Sequence, residues 1–420
     1  MLLLYVYRLF YTPVLILFYI FRFLNPKLHK GFHLRNNQEG TPPWLNYPEK
    51  SKPIWFHCAS GEFEYAKPVI RQLKAENPNC KILVTYFSPS VESSLKNNQD
   101  VDFFCPTPWD TLRSWQEFLD YHQPQALLIA RTDLWPMMLF AAKKARVPSL
   151  LFSRSVNPNR GTLQIAASRF LLRLVDTIFC VSEEDRRLLI GSGLAENKIH
   201  SAGDTRYDQC FHRLQNPQVL KPLKNFYLPT LVAGSTWSAD EAILLPAIAK
   251  LMTSMSFIIA PHEPSESHLQ KLESSLKKMG LSFCRYSSVH QWNPEQVLII
   301  DQVGILADLY SWSSFAFVGG SMDRSVHSVM EPLAQGLLTF VGPKHSNSRE
   351  ALLFQRESIA GQAPVQVIKN SMHLEEALSK ALLSWTSDHK DQLQITLQRK
   401  RGASKIVQRW LENQFLSPKN

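Results

Sequence analysis

At 420 residues and 45% hydrophobic composition, the chain exceeds what one ordinary core supports and suits two domains of about 150 to 200 residues each. Its formal net charge of +10 lies on a sequence only 20% charged, without the long Lys/Arg runs of a nucleic-acid arm, so an anionic membrane surface or polyanionic partner is expected and nucleic acid is not. Cys58, Cys80, Cys105, Cys180, Cys210 and Cys284 are widely scattered, which excludes the spacing of a zinc site or redox pair and predicts core thiols in a reducing compartment.

Residues 2–24, LLLYVYRLFYTPVLILFYIFRFL, form the strongly apolar stretch. Arg8 and Arg22 bracket a clean run of only about a dozen residues, short of the roughly 20 that a span needs, and Pro13 weakens a straight spanning helix. Asn25-Pro26-Lys27-Leu28-His29-Lys30 follows in place of a small-residue cleavage site. The reading is an uncleaved anchor over residues 1–35, with Tyr and Phe rings at the membrane interface and Arg22, Lys27, Lys30 and Arg35 facing the anionic cytoplasmic leaflet. The alternative is a hydrophobic helix packed on the protein's own core.

Beyond a polar, Pro-bearing linker at 36–53, short apolar runs alternate with helical patterns, as in a parallel sheet with crossover helices. The expected strands are Ile54–Ala59, Lys81–Phe87, Ala126–Ala130, Ser149–Phe152, Thr177–Val181 and Lys198–Ser201, in a first domain over 36–215. Pro217, Pro222, Asn225 and Pro229 break the pattern, which predicts a linker over 216–229. A second series over 230–388 has strands Thr230–Ala233, Ser256–Ala260, Val297–Ile300, Phe315–Val318 and Leu338–Val341. Ser238-Ala239-Asp240-Glu241 reads as a capping box opening a helix through Ile248, which places Gly234-Ser235-Thr236 in a strand-to-helix loop. The tail, 389–420, is helical in pattern and suits a crossing back to the first domain.

Ligands of open parallel sheets bind at the carboxyl ends of the strands. Glu62 is such a residue: it follows an apolar strand, within Ser60-Gly61-Glu62-Phe63, and Pro68 suits the first turn of the next helix. A carboxylate there serves as a general base, or else is a solvated acid at a helix start. Phe317-Val318-Gly319-Gly320-Ser321 ends a strand in glycines, and His327-Ser328-Val329-Met330-Glu331-Pro332 leads into a short helix, so backbone can approach a ligand closely and helix-start amides can hold a phosphate. Gly234-Ser235-Thr236 repeats the arrangement, and two such loops in one domain suggest a nucleotide site, although either alone is equally a plain turn. No H-E-x-x-H, P-loop or G-x-S-x-G motif occurs, and His57, inside an apolar strand, reads as a structural or binding group.

Taken together, these motifs resemble those of the family that transfers Kdo (3-deoxy-manno-octulosonic acid). IWFHCASGEFEYAKPVI resembles that family's W-x-H-A-x-S-x-G-E segment, LLIARTDLWP its E-T-E-L-W-P, and VSEEDRRLL its S-E-x-D stretch. AGDTRYD is similar to T-G-x-x-K-[FY]-D, LVAGSTWSADE to V-A-G-S-T-x-x-x-E-E, and FVGGS…HSVMEPLAQG…GP to F-V-G-G-S…G-H-N-x-x-E-P-A-x-x-G…G-P.

The resemblance implies a GT-B glycosyltransferase: an α/β protein of two Rossmann-like doubly wound domains facing a central cleft, with an N-terminal membrane anchor. It implies CMP-Kdo as donor, a lipid A precursor as acceptor, no cofactor or metal, and a place on the cytoplasmic side of the cell inner membrane. It makes Glu62 the catalytic base and puts Gly234, Ser235, Thr236, His262, Gly319, Gly320, Ser321, His327 and Glu331 at the donor, with Glu331 suited to a ribose hydroxyl. Arg131, Asp133 and Arg206 fall at acceptor or charge-balancing positions. The departures are a loop before Glu62 one residue shorter than usual, Arg131 where the motif has Glu, Pro261-His262-Glu263-Pro264 for P-R-H-P, and Ser328 for the Asn of G-H-N. With no arginine at His262, either His262 or Arg206 and other cations must balance the donor phosphate. The competing readings are an enzyme of the same architecture acting on another sugar nucleotide, an epimerase among them, and a membrane-tethered sugar-nucleotide-binding protein without turnover.

Overall fold

A computed structural model describes residues 2–21, 23, 26–35, 42–156, 162–217, 220 and 228–416. Arg22, the linker positions 36–41 and most of the expected linker at 216–229, Pro222 and Asn225 included, lie outside the described residues. The chain divides into two compact units, Met1–Gln209 with Lys400–Asn420, and Cys210–Arg399. The first division falls inside the helix Thr205–Gln215 rather than after it. The tail read from 389 onward is itself divided. The helix Ser387–Gln398 packs on Met330–Ala334 in the second unit, and the helix Ala403–Leu416 packs on Phe63–Glu76 in the first.

The first unit holds strands β1 (Ile54–Cys58), β2 (Ile82–Tyr86), β3 (Phe103–Pro106), β4 (Ala126–Ala130), β5 (Ser149–Arg154), β6 (Thr177–Cys180) and β7 (Ile199–Ser201). They form one parallel sheet in the order β3-β2-β1-β4-β5-β6-β7, so the winding reverses between β1 and β4. All five residues of β1 are buried because helices cover both faces. Trp55, Leu83, Leu127 and Leu151 pack against Trp115 and Phe118 on one face, and Phe56, Val84 and Leu128 against Val69 and Ile70 on the other.

The second unit holds β8 (Thr230–Thr236), β9 (Ser256–Pro261), β10 (Phe283–Arg285), β11 (Val297–Ile299), β12 (Phe315–Val318), β13 (Leu338–Val341) and β14 (Val365–Val367). Its sheet is again parallel, ordered β10-β11-β9-β8-β12-β13-β14, with the reversal between β8 and β12. The protein is therefore an α/β fold of two parallel sheets. The strands that hydrophobic patterning missed, β3, β10 and β14, all lie at sheet edges. An edge strand pairs on one side only and needs no continuous apolar run: β10 has no fully buried residue and β14 only Val365.

The capping box is shifted from its expected place. Trp237, not Ser238, precedes the first turn; its amide donates to Asp240 Oδ2 at 2.9 Å, and the helix continues to Leu251.

The N-terminal segment forms helices Leu2–Phe21 and Pro26–Arg35, the first continuous through Pro13. Two expectations for it are corrected. Arg35 does not face outward: it is buried, donating to the carbonyls of Gly31, Phe87 and Thr107 and lying over the rings of Phe87 and Trp109. Nor do all the tyrosines point away from the protein. Tyr7, one helical turn before Tyr11, donates to buried Asp110 at 2.8 Å, and Tyr11 accepts from the Asp110 amide at 2.9 Å. Asp110 also accepts from the amides of Met137 and Met138, so it ties the first helix to the start of the helix Pro136–Lys144. Leu9, Phe10, Leu17, Phe18, Phe21 and Phe23 remain exposed, from 47% to 72%. Among the described residues no helix is long and apolar enough to cross a membrane.

Candidate functional site

Most candidate residues of each unit follow the two strands where its winding reverses, where diverging crossovers leave a crevice; Arg206 instead follows β7 and His262 follows β9. In the first unit those strands are β1 and β4. The chain leaves β1 through Ser60-Gly61, turns by hydrogen bonds from Phe63 to Ser60 and from Glu64 to Gly61, and enters the helix Phe63–Glu76 with Glu62 just before it. The Glu62 carboxylate is half-buried and accepts from the Ser60 amide at 3.1 Å. It forms no ion pair among the described residues, so its second oxygen can take a proton.

Asp133 follows β4. Its Oδ1 accepts from the Trp135 indole at 3.1 Å, and its Oδ2 lies 2.6 Å from His57 Nε2, at ion-pair distance but out of line for a hydrogen bond. On the other side of that ring, His57 Nδ1 is 2.9 Å from Thr85 Oγ1, which accepts from Trp55 Nε1 at 2.8 Å. Because the indole can only donate, Thr85 Oγ1 keeps its own proton available to Nδ1, while Nε2 lies beside the Asp133 carboxylate. His57 is thus a buried brace for Asp133. Glu62 and Asp133 share one neighbourhood: the buried Cys58 thiol at the end of β1 is pushed up well above its ordinary range by burial first, then by the charges of Glu62 and Asp133.

Arg131 and Arg206, distant in sequence, meet at a residue that patterning did not single out. Their guanidinium carbons lie 5.3 and 5.4 Å from the ring centroid of Tyr65, in the helix that starts after Glu62. Arg131 adopts the left-handed backbone conformation at φ 65, which turns the chain sharply at the end of β4.

In the second unit the corresponding strands are β8 and β12. Gly234-Ser235-Thr236, expected as a loop, is the end of β8 itself; a Cβ on Gly319 would collide with the backbone of Ser235 and Thr236, so only glycine lets the chain after β12 pass this closely, and Gly320 at φ 79 makes the turn that follows. A Cβ on Gly234 would strike Tyr310 and Leu306. Thr236 and Ser321 are buried and serve the frame. Thr236 donates to Glu241 at 3.0 Å; Ser321 donates to the Val318 carbonyl and accepts from the Gly342 amide.

The residue that joins the loops after β8 and β12, Asp240, was legible only as a helix cap. Fully buried, it accepts from the amides of Trp237, Gly320 and Met322 at 2.9, 2.7 and 3.3 Å. Burial raises its pKa while those amides oppose the rise. The expectation that amides here hold a phosphate is thereby altered, since these three face Asp240.

His262 and His327 come together as parallel rings 4.1 Å apart, with Trp237 5.0 Å from His262 and Arg324 3.7 Å above Trp237. The Trp237 indole donates to His327 Nε2 at 3.2 Å, so His327 accepts there and keeps its proton on Nδ1. Burial first, then His262 and Arg324, lower His327 to about 4, so it is neutral at physiological pH. Glu331, half-buried, accepts from Ser328 Oγ, so the serine found in place of the motif asparagine orients this carboxylate. Glu331 lines a small cavity with Arg213, Asp308, Ser311 and Gln335.

A family model described as 3-Deoxy-D-manno-octulosonic-acid transferase (kdotransferase) matches residues 33–209. The 3-deoxy-D-manno-octulosonic acid transferase of Aquifex aeolicus is 26% identical over 335 residues, covering 78% of this chain and 86% of the relative. That of Haemophilus influenzae is 25% identical over 343 residues, covering 79% of each. Among solved structures, the UDP-GlcNAc 2-epimerase of Neisseria meningitidis shares the fold at 16% identity and TM-score 0.61, over 87% of this chain and 99% of that one. A glycosyltransferase from Rickettsia africae does so at 11% identity and TM-score 0.56, over 87% and 100%. The family model over residues 33–209 and these relatives agree with one another, so this chain is similar to 3-deoxy-D-manno-octulosonic acid transferases.

Proposed function

We propose that this protein transfers Kdo from CMP-Kdo to a lipid A precursor in lipopolysaccharide biosynthesis, with inversion at the anomeric carbon. The observation that carries the reading is Glu62: a carboxylate without a cationic partner among the described residues, at the reversal point of the first sheet, in a chain whose residues 33–209 match the Kdo transferase model. Glu62 takes the proton of an acceptor hydroxyl as that oxygen bonds to the anomeric carbon. The bond from that carbon to the phosphate oxygen breaks, and its electron pair leaves with CMP. A single displacement inverts the centre, through a transition state with oxocarbenium character. Glu331 suits the ribose hydroxyls of the donor, and Arg131 and Arg206 on Tyr65, with Asp133 on His57, frame the acceptor side.

The N-terminal helices serve as an interfacial anchor at the cytoplasmic face of the cell inner membrane. Supporting this are the exposed Leu9, Phe10, Leu17, Phe18, Phe21 and Phe23, together with exposed Arg8 and Lys30. Purified full-length protein incubated with CMP-Kdo and a tetra-acylated lipid A precursor is expected to yield a product heavier by Kdo in the mass spectrum. An unchanged acceptor mass, with CMP still bound by the protein, rejects the assignment.

A further inference from the structure

A nucleoside monophosphate at the carboxyl ends of β8 and β12 brings a phosphate whose charge must be met, more so as it becomes a leaving group. Helix-start amides commonly do this. Here the amides of Trp237, Gly320 and Met322 point at Asp240 instead. The helix Ser238–Leu251 carries Asp240 and Glu241 in its first turn, and the five-residue helix Met330–Ala334 opens on Glu331, so both helix starts already face carboxylates. A side-chain cation can supply the positive charge that those three amides do not.

Nearby cations differ in how they are engaged. Arg213 lies 3.6 Å from Asp308, and Lys344 donates to the Asp323 carbonyl. Arg324 is exposed, forms no ion pair among the described residues, and rests 3.7 Å over the Trp237 ring. Trp237 is itself held by its bond to His327 and by His262 against its ring. A guanidinium held over an indole keeps its N–H groups for other partners, and its planar fork suits two parallel bonds to a phosphate. Holding the side chain in advance also reduces the entropy lost on binding.

The geometry points to Arg324, carried on Trp237 and the His262–His327 stack, as the residue that binds the phosphate of the donor nucleotide and sets the preference for nucleoside monophosphate over uncharged nucleoside. This deepens the donor reading given above and rests on it.

Calorimetric titrations of the full-length protein with CMP, UMP and cytidine test it. Arg324→Ala is expected to weaken CMP about 10- to 100-fold, the effect of losing one charge-assisted contact, while leaving cytidine affinity within about twofold. Arg324→Lys should recover part of the CMP affinity, because a point charge returns without the planar fork. A wild type that prefers UMP removes the CMP-sugar donor, yet the same comparison made with UMP still tests Arg324. Equal affinity of wild type and Arg324→Ala for the preferred nucleotide, or an equal loss of cytidine binding, overturns the inference.

Discussion

Replacing Asp240 by alanine isolates what holds the loops after β8 and β12 together. The substitution removes the acceptor of three amides: Trp237 and Gly320, which share Oδ2 at 2.9 and 2.7 Å, and Met322, which meets Oδ1 at 3.3 Å. With Asp240 fully buried, water does not replace it without the loops opening. An unsatisfied buried amide costs about 1 to 3 kcal/mol, the Met322 bond is long, and the burial of one carboxylate is relieved, so a local loss of about 3 to 4 kcal/mol is expected. At about 1.4 kcal/mol per tenfold, the Gly320 and Met322 amides should exchange with solvent about 10²- to 10³-fold faster, read by hydrogen exchange with mass spectrometry. Exchange is the suitable assay because a two-unit chain has no single unfolding free energy. Asp240→Asn sharpens the test. Its one oxygen can sit at the Oδ2 position and keep two bonds, while its NH₂ faces the Met322 amide, so Met322 should be freed more than Gly320. If Asp240→Ala changes exchange less than threefold at both positions, the carboxylate does not join the loops.

Glu62→Gln is expected to lower turnover by about 10²- to 10⁴-fold with CMP affinity unchanged by calorimetry; near-normal turnover would move the base elsewhere, with Glu64 tested next. Replacing Phe10, Leu17, Phe18 and Phe21 by serine keeps the Tyr7 and Tyr11 bonds to Asp110, so the fold should persist while binding to anionic vesicles and activity on embedded acceptor fall. Vesicle binding that survives this change refutes the interfacial anchor. Electrostatic attachment through Arg8 and Lys30, at about 1 kcal/mol each, should weaken as salt rises. His122, buried beside Phe118 and Tyr121, is lowered by burial to about 4. A depressed histidine binds fewer protons folded than unfolded, so its contribution is fully present above about pH 6.5 and is lost as pH falls toward 4. His122→Phe should flatten the fall in melting temperature across that window, and an unaltered pH slope would show that the acid sensitivity lies elsewhere.

The α/β alternation and every interior strand of both sheets are legible in the sequence, because a strand covered on both faces must be apolar along its whole length. Glu62, the glycine motifs, His327 and Glu331 are legible too, through their positions at or after the ends of such strands and through motif resemblance. Edge strands β3, β10 and β14 are not, because partial exposure removes the pattern. Nor is the direction in which Arg35 points: a basic residue after an apolar helix reads as a surface charge, and only the carbonyls of Gly31, Phe87 and Thr107 converging on it make burial favourable. Asp240, Tyr65 and the Arg324–Trp237–His262–His327 stack likewise belong to tertiary structure. Their partners come from separate strand-to-helix loops, and local sequence carries no record of which loops a parallel sheet will set side by side. By itself the sequence determined the fold class, the family resemblance and the candidate base. The closing of Asp240 over three amides was decided only when β8 and β12 became neighbours, since that pairing alone brings Gly320 and Met322 within reach of the first turn after β8.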